Sequence, residues 1–298
     1  MTINAYSHVY ALTHAANAHL WDGHEVVIEE KLDGSQFSFG VFVTSGGDQL
    51  FARSRKQRVE LEAPPKLFLE AVQSIQDRQD LLTPGFTYRC EYLRIPKHNT
   101  LAYKRVPNGF LMLLDVDLGQ QLYANPHDKA AEAARIGLEC VPYFDTRLVP
   151  PTLQELDALM QRPSILGGPI EGLVFKNYTN FGVDGKVCMG KYVSDSFKER
   201  NGAKWKGRRG DNRKDLLEFL AQSVGTEARW RKVVQHLREE GRLVNAPQDI
   251  GLLYKELQED VLREEASALK EALLAWAWPH LNKRIGRGLA EWYKQQLG

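Results

Sequence analysis

The chain has 298 residues, of which 43% are hydrophobic and 26% are charged, and its formal net charge is +1. A chain of this length usually forms more than one hydrophobic core, so two domains are expected. The near-neutral charge excludes a protein that is basic throughout, although a local basic groove for nucleic acid stays open. Three scattered cysteines and the lack of a membrane-spanning apolar run predict a cytoplasmic protein without disulfides or membrane contact.

The first predicted element is a strand that ends on a lysine. The apolar run 26–28 leads into Glu29-Glu30-Lys31-Leu32-Asp33-Gly34-Ser35, and residues 37–39 alternate as a second strand. This pattern predicts a strand, a tight Asp-Gly turn and a second strand. Lys31 would then lie at the edge of a sheet, among three carboxylates. Such a lysine is either an ion-paired surface residue or an amine tuned to act as a nucleophile.

A hairpin and a basic cluster follow. Residues 44–48 are typical of a turn between two alternating strands, and the second strand runs into a basic cluster with Arg53 and Arg55. The cluster is either a solvated strand end or a binder of phosphate or ribose, because the guanidinium fork matches phosphate oxygens.

Four further strands are predicted, each carrying an acid or a lysine. They cover residues 86–93 with Glu91, 110–117 with Asp115, 170–176 with Glu171, and 186–192 with Lys191. Apolar residues at helical spacing predict short helices between them at residues 67–82, 128–136 and 153–160. Gly172, next to Glu171, would let two backbones approach closely.

The last third of the sequence has a different character. The segment 198–214 contains eight lysines and arginines together with glycines, which makes it a candidate flexible linker. From about residue 211 the apolar spacing is helical throughout, with breaks expected at glycines and prolines such as Pro279. We therefore predict an α+β fold, with a mixed domain over residues 1–200 and a small all-helical domain over residues 201–298.

Taken in order, these elements resemble the covalent nucleotidyltransferase superfamily of ATP-dependent ligases and capping enzymes. The most specific stretches are Lys31-Leu32-Asp33-Gly34-Ser35 and Glu171-Gly172-Leu173-Val174-Phe175-Lys176, which match motifs I and IV, and the likeness covers residues 26–195. Within the superfamily the chain looks most like RNA ligases of the double-strand-sealing, bacteriophage type. The resemblance implies a nucleotidyltransferase domain of antiparallel sheets flanked by helices.

The resemblance also implies the chemistry. Lys31 would attack the α-phosphorus of ATP, release pyrophosphate and hold AMP as a phosphoramidate. The AMP would pass to the 5′-phosphate of an RNA, and a 3′-hydroxyl would then displace it. A free lysine has a pKa of about 10.4 and is protonated at neutral pH, so nearby cations or a metal ion must favour the uncharged amine.

The residues around the lysine are expected to bind the nucleotide. Glu29 and Glu30 fall where the family recognises adenine, through a side chain or through the main chain. Gly34 and Asp33 belong to the same motif as Lys31, and Asp33 would orient the lysine or hold metal-bound water.

The remaining nucleotide contacts are expected from later strands. Arg55 matches the arginine that binds ribose or phosphate, and Arg53 is a close rival for that alignment. Glu91 matches the glutamate that bonds the ribose. Lys191 matches the final lysine, which grips the α-phosphate and offsets charge in the transition state.

A divalent metal ion is implied as well. Glu171 matches the motif IV acid, and together with Asp33 it would hold the metal largely through water. A site of carboxylates and phosphates suits Mg²⁺, with Mn²⁺ as the alternative, because both are hard ions that keep part of their water.

The sequence departs from the family pattern in three places. Met189 stands where the first lysine of a Lys-x-Lys pair is common, with Lys186 as a candidate substitute. Leu114 stands where an aromatic residue commonly precedes the acid Asp115, and Cys90 replaces the glycine of a Gly-Glu pair. The reaction class is unaffected, but the roles of Lys186 and Asp115 stay open.

The expected partner is RNA with 5′-phosphate and 3′-hydroxyl ends. Lys206, Arg208 and Arg209 in the basic segment would contact its phosphate backbone. A monomer is expected, in the cytoplasm of the host if the chain is phage-encoded. The alternatives are a ligase acting on DNA or RNA–DNA hybrids, a capping-type enzyme using GTP, and an inactive nucleic-acid-binding module. Capping enzymes and DNA ligases continue into a small β-barrel, whereas helices are predicted here.

Overall fold

The computed structural model describes residues 3–12, 14–99, 101–193, 217, 220–221 and 223–297. The strands are β1 Tyr10–Ala11, β2 Val26–Lys31, β3 Ser35–Thr44, β4 Gly47–Ser54, β5 Arg58–Val59, β6 Thr87–Tyr92, β7 Leu111–Asp117, β8 Glu139–Cys140, β9 Tyr143–Arg147, β10 Gly172–Phe181 and β11 Val187–Val193. The α-helices are α1 Leu69–Gln76, α2 Pro126–Arg135, α3 Leu153–Met160, α4 Glu227–Glu239, α5 Ile250–Ile285 and α6 Leu289–Gln296. Short 3₁₀ helices cover Ala15–Asn17, Lys66–Phe68, Gln79–Leu81, Asn108–Phe110 and Pro247–Asp249.

The strands form two sheets. One has the order β1-β11-β10-β2-β9, and the other has the order β5-β4-β3-β6-β7-β8. Neighbouring strands are antiparallel except for the edge pairs β1–β11 and β7–β8, which are parallel and involve two-residue strands. The predicted α+β fold with antiparallel sheets and flanking helices is therefore confirmed, with parallel pairing limited to short edge strands.

The outer face of each sheet is apolar and covered by helices. Val26 and Ile28 of β2 share a hydrophobic core with residues of α3. Phe37 and Phe39 of β3 share a second core with residues of α1. Because side chains alternate along a strand, the residues between these apolar positions lie on the opposite, inner faces. The inner faces are rich in polar side chains, and they face each other.

The turn after Lys31 does not close a hairpin, so the hairpin-type pattern of the sequence is misleading here. β2 pairs with β10 and β9 in the first sheet, whereas β3 pairs with β4 and β6 in the second. Gly34 lies where the chain passes between the sheets, and a Cβ atom there would be 2.6 Å from the carbonyl oxygen of Tyr92. Close approach of two chain segments, rather than turn geometry, therefore requires this glycine.

The helices α4, α5 and α6 make up most of the described part of the C-terminal region. The helices α4 and α5 contact each other, and Val233 and Leu237 of α4 are buried. The side chain of Thr226 caps the start of α4. The predicted break at Pro279 is wrong, since α5 continues through it to Ile285. A proline costs a helix one hydrogen bond without always ending it. The predicted domain boundary at residues 200/201 lies outside the described residues.

Candidate active site

Lys31 and Glu171 meet at the end of β2. The Nζ atom of Lys31 lies 2.6 Å from Oε2 of Glu171. The sheet register explains the contact, because Lys31 is paired with Gly172, the residue that follows Glu171. A Cβ atom on Gly172 would lie 2.2 Å from the carbonyl oxygen of Tyr192, so the predicted close backbone approach is confirmed.

The carboxylates around Lys31 control its charge. Burial alone would lower the pKa of Lys31, but the carboxylates of Glu171, Glu91 and Asp33 outweigh it and raise the pKa above its usual value. Burial raises the pKa of Glu171, and burial together with the charge of Glu171 raises the pKa of Glu91 to about 8. Lys31 is therefore protonated in this arrangement, beside carboxyl groups with raised proton affinity.

The segment after Lys31 is held by hydrogen bonds to its polar groups. The carboxylate of Asp33 accepts from the backbone N–H of Leu101 at 2.7 Å and from Nδ2 of Asn99 at 3.2 Å. The backbone N–H of Gly34 donates to Oε1 of Glu91 at 2.9 Å. Asp33, Gly34 and Glu91 are thus brought together beside the lysine, as their predicted nucleotide-binding roles require.

Glu29 and Glu30 point to opposite faces of β2. The carboxylate of Glu30 accepts from the backbone N–H of Ile165 at 3.0 Å, while Glu29 lies on the inner face with Lys31. Both side chains are buried, at 0% and 1% exposed. Their main chains are also paired, on one side with β10 and on the other with β9 and the carbonyl oxygen of Pro142, so this arrangement does not favour either predicted way of recognising adenine.

Glu29 belongs to a buried ion network that joins the two sheets and α2. The Nζ atom of Lys176 on β10 lies 2.6 Å from Glu29 and 2.9 Å from Asp115 on β7. Lys129 of α2 also pairs with Glu29, and it donates to the carbonyl oxygen of Leu114 at 2.9 Å. The network contains two acids and two lysines, so its charges balance in the protein interior.

Asp115, like Glu29, has no exposed surface. Although burial opposes ionisation, Lys176 and Lys129 lower the pKa of Asp115 below its usual value. The hydroxyls of Tyr6 and Tyr178 also donate to this carboxylate. Asp115 is therefore ionised, and it helps to hold the buried network together. The structure thus indicates a structural role for this residue, which the sequence left open.

Arg55 and Arg53 have different surroundings. Arg55 donates through Nη2 to Nδ1 of His8 at 3.1 Å and through Nη1 to Nε2 of His236 at 3.0 Å. Burial and the neighbouring cations lower the pKa of His236 to about 3, so its ring is a neutral acceptor. Arg53 instead donates to the carbonyl oxygen of Ile3 at 2.7 Å. The geometry favours Arg55 as the nucleotide-binding arginine, because His8 links it to the surroundings of Lys191, described next.

Lys191 lies on the same face of the first sheet as Lys31. Its Nζ atom is 2.8 Å from the carboxylate of Glu264, a residue of α5. His8 and Lys232 also contact Glu264, at 2.9 and 3.5 Å. Burial and the charges of Lys232 and Lys31 outweigh the attraction of Glu264 and lower the pKa of Lys191 to about 8.

Other acids in α4, directly after it and in α5 contact β3 and the segment between β4 and β5. The hydroxyl of Ser35 at the start of β3 donates to Glu239. Lys56, next to Arg55, lies 2.7 Å from Glu240 and 2.8 Å from Glu256. The helices are therefore docked over the predicted nucleotide site by carboxylates that bind its basic and hydroxyl groups.

One predicted residue, Lys186, is not brought to this site. Lys186 lies just before β11, at the opposite end of the strand from Lys191, where it lines a polar cavity with Arg89 and Asp117. It is therefore badly placed to replace the missing lysine of the last motif. The predicted RNA-binding residues Lys206, Arg208 and Arg209 lie outside the described residues.

Several polar residues at the site were not selected from the sequence. Lys176 is the last residue of the motif IV stretch, so its place in that motif could have identified it as a site residue. His8, Lys129 and Glu264 reach the site from an irregular N-terminal segment and two helices, and nothing in their neighbouring residues distinguishes them. Only the three-dimensional contacts identify them.

The carboxylates present fit a hydrated divalent metal ion. Among the described residues, no group of three His, Cys, Asp or Glu side chains is placed to hold a metal alone. Glu171 and Asp33 offer hard oxygen atoms near Lys31, and Asp33 raises the pKa of Glu171, so the two carboxylates are close enough to repel. Mg²⁺ and Mn²⁺ are commonly bound by one or two carboxylates, waters and substrate phosphates.

A lysine at a strand end, surrounded by carboxylates between two sheets, is the arrangement expected of a covalent nucleotidyltransferase. Comparison with known proteins narrows this class. The sequence model of the RNA ligase family matches residues 24–193, which is more than half of the chain. The chain therefore belongs to the RNA ligase family. No curated protein matches it in a sequence search.

Solved structures with similar folds include those of an RNA ligase from Naegleria gruberi. The form with pyrophosphate is 19% identical, with a TM-score of 0.48, and the match covers 69% of this chain and 59% of that one. A mutant form with ATP and Mn is 18% identical, with a TM-score of 0.48 and coverages of 66% and 58%. The present chain thus spans less than two thirds of the length of these solved chains.

None of the helices formed by the described residues combines the length and apolar character needed to cross a bilayer.

Proposed function

We propose that the chain is an ATP-dependent RNA ligase that joins RNA 3′-hydroxyl and 5′-phosphate ends through a covalent lysyl-AMP. The observation that carries the proposal is the contact between Lys31 and Glu171, 2.6 Å long, beside Glu91 and Asp33 at the inner faces of two sheets. Membership of the RNA ligase family supports the choice of RNA as the polynucleotide.

In the first step, Nζ of Lys31 attacks the α-phosphorus of ATP and pyrophosphate leaves. Lys31 must first lose its proton, and Glu171 is within hydrogen-bonding distance to accept it. The raised pKa of Glu171 makes it a better proton acceptor than an exposed carboxylate. Lys191 is placed on the same face to offset charge on the phosphate, and Arg55 is the candidate contact for ribose or phosphate.

A divalent metal, Mg²⁺ or Mn²⁺, would be held near Glu171 and Asp33, largely through water. When bound, it supplies positive charge that neutralises phosphate oxygens and favours the uncharged amine. Glu91, whose carboxylate is fixed by the backbone N–H of Gly34, is the candidate ribose ligand. Glu29 and Glu30 are the candidate adenine contacts, through a side chain or through the main chain.

In the later steps, the RNA 5′-phosphate attacks the phosphorus of lysyl-AMP and releases Lys31. The RNA 3′-hydroxyl then attacks the adenylated 5′-phosphate, AMP leaves, and a phosphodiester bond forms. Lys206, Arg208 and Arg209 would contact the RNA backbone, and exchanging Arg208 and Arg209 for alanine should flatten the salt dependence of RNA binding. The double-strand-sealing subtype, a monomeric state and a cytoplasmic location remain parts of this proposal.

Incubation with Mg²⁺ and α-labelled ATP tests the proposal. A covalent label should appear on the wild-type protein and be absent from Lys31→Ala. Lys186→Ala, an exposed lysine at the other end of β11, is the matched control and should still be labelled. Lys31→Ala should also seal RNA that carries a 5′-adenylate, since the lysine is needed only for the first step. A label from GTP alone would instead favour a capping-type enzyme, and no label from either nucleotide would favour an inactive module.

A further inference from the structure

The carboxylate of Glu264 lies among three nitrogen-bearing side chains from different parts of the chain. These are Lys191 of β11 at 2.8 Å, His8 of the N-terminal segment at 2.9 Å and Lys232 of α4 at 3.5 Å. We call His8, Lys191 and Lys232 the cationic nest. The side chain of Glu264 is only 5% exposed, so these contacts lie in the protein interior.

The hydrogen bond from Arg55 fixes which ring nitrogen of His8 carries the proton. Arg55 donates to Nδ1 of His8 at 3.1 Å, which leaves Nε2 as the protonated nitrogen that faces the carboxylate. Arg55 thus acts on the nest through His8. Two ammonium groups and an N–H donor around one anionic group form a set that binds phosphate oxygens as well as carboxylate oxygens.

The nest is close to the reaction centre. In the sheet register Lys31 is opposite Gly172 and Lys191 is opposite Val174, so both lysines project from the same face. They are two strands apart, about 10 Å across the sheet. A phosphate group in the nest would therefore lie beside a nucleotide that reacts at Lys31.

We propose that the cationic nest is a phosphate-binding site completed by the helical region, and that Glu264 is an internal occupant which a substrate phosphate displaces. This inference rests on the proposed function, and it adds His8 and Lys232 to the phosphate contacts of the site. The ligand is either the terminal phosphates of ATP or the 5′-phosphate of RNA, which share the same chemistry.

The nest can persist after Glu264 leaves it. Lys232 lies 2.9 Å from Asp260, one helical turn before Glu264 on α5, so its ammonium group stays anchored at the site. His8 is likewise held by Arg55. Displacement then requires only that the Glu264 side chain move away, while Lys191, Lys232 and His8 remain in place for the incoming phosphate.

Binding measurements on three single variants test this inference. Glu264→Gln keeps the side-chain shape but removes the competing charge, and Lys232→Met removes a cation of the nest. Glu265→Gln is the matched control, because Glu265 is the next residue on α5 and pairs with Arg229 outside the nest. Titration calorimetry would use inorganic pyrophosphate in one arm. The other arm would compare 5′-phosphorylated with 5′-hydroxyl RNA of one sequence.

We expect Glu264→Gln to bind the correct phosphate ligand about tenfold more tightly, and Lys232→Met about tenfold more weakly, the scale of one charge-assisted hydrogen bond. Glu265→Gln should bind like wild type. A change confined to pyrophosphate assigns the nest to ATP, and a change confined to 5′-phosphorylated RNA assigns it to the RNA end. If both Glu264→Gln and Lys232→Met bind both ligands with wild-type affinity, the inference is overturned. If Glu264→Gln does not fold, the affinity of Lys232→Met alone tests the inference.

These binding arms need no turnover, so they are separate from the test of the proposed function. If wild type forms the labelled adduct but both nest variants bind phosphate normally, only the present inference fails. If no adduct forms but the nest variants shift pyrophosphate affinity, the phosphate site stands and the ligase proposal fails.

Discussion

The side chains of Lys31 and Glu171 are joined by a hydrogen bond of 2.6 Å, although the two residues are 140 positions apart in the chain. The antiparallel pairing of β2 with β10 creates this contact, and it joins the two most specific stretches of the sequence. The same contact keeps the lysine protonated until a substrate or a metal alters its surroundings.

Replacing Glu171 with glutamine should slow adduct formation while leaving the protein folded. The amide keeps the shape of the side chain but cannot accept the lysine proton, and without a negative charge it is a weaker metal ligand. We expect a rate loss of about a hundredfold or more, as for removal of a general base. Single-turnover labelling with α-labelled ATP measures the rate, and Glu60→Gln, at an exposed position beside Arg58, serves as the control. A wild-type rate in Glu171→Gln would refute this assignment.

Conservative lysine substitutions should separate the roles of Arg55 and Arg53. Arg55→Lys loses the fork that contacts both His8 and His236, and we expect it to raise KM for ATP about tenfold. Arg53→Lys should leave KM close to wild type, because its guanidinium group binds the carbonyl oxygen of Ile3 instead. Steady-state kinetics on both variants make the comparison. The reverse pattern would favour the rival alignment, in which Arg53 is the nucleotide ligand.

Replacing Lys129 with methionine should destabilise the protein rather than alter nucleotide chemistry directly. Lys129 is 1% exposed, and its loss leaves Glu29 with one cationic partner in the interior. Breaking a buried ion pair on one side costs about 3–5 kcal/mol in the free energy of unfolding. Urea denaturation measures this loss, and Lys186→Met at an exposed site should change stability by less than about 0.5 kcal/mol.

The double variant of Lys129→Met with Glu29→Gln provides an internal check on that interpretation. Removing the acid together with the lysine restores charge balance, so the double variant should be more stable than the two single losses predict. Simple additivity of the two losses would mean that the pair does not interact.

Replacing Gly34 with alanine should disturb the site, whereas the same change at Gly46 should not. A Cβ atom at Gly34 would lie 2.6 Å from the carbonyl oxygen of Tyr92 and 2.8 Å from Cγ of Glu91, so the backbone must shift. We expect a lower melting temperature and slower adduct formation. At Gly46 the nearest atom is 3.5 Å away, on the side chain of Gln49, and both readouts should match wild type. Equal behaviour of the two variants would contradict the role given to Gly34.

Local patterns in the sequence were enough to predict most strands and helices. The strand carrying Glu91 was expected over residues 86–93 and is Thr87–Tyr92, and the helix expected over 153–160 is Leu153–Met160. These elements alternate or repeat at regular spacing, so the chain itself carries the signal. The ordered motifs also selected Lys31, Glu171 and Glu91, which the structure places together.

Contacts between distant segments could not be predicted in the same way. The stretch around Asp33 has the local pattern of a hairpin turn, and only the pairing partners of β2 and β3 reveal that the chain changes sheets there. Glu264 looks like an ordinary helical surface acid until α5 is docked against Lys191. Pro279 is a local break signal that the helix overrides. In each case contacts with residues that are remote in sequence, rather than the local pattern, determine the structure.

The buried network of Glu29, Asp115, Lys129 and Lys176 has a consequence for how such sequences can change over time. Each residue balances charge on another, so a single neutral or opposite substitution leaves an unmatched charge in the interior. In related chains these four positions should therefore covary, with an acid and a lysine lost or exchanged together. A relative in which one position alone differs should carry a compensating change nearby, which makes the network a marker for aligning distant members.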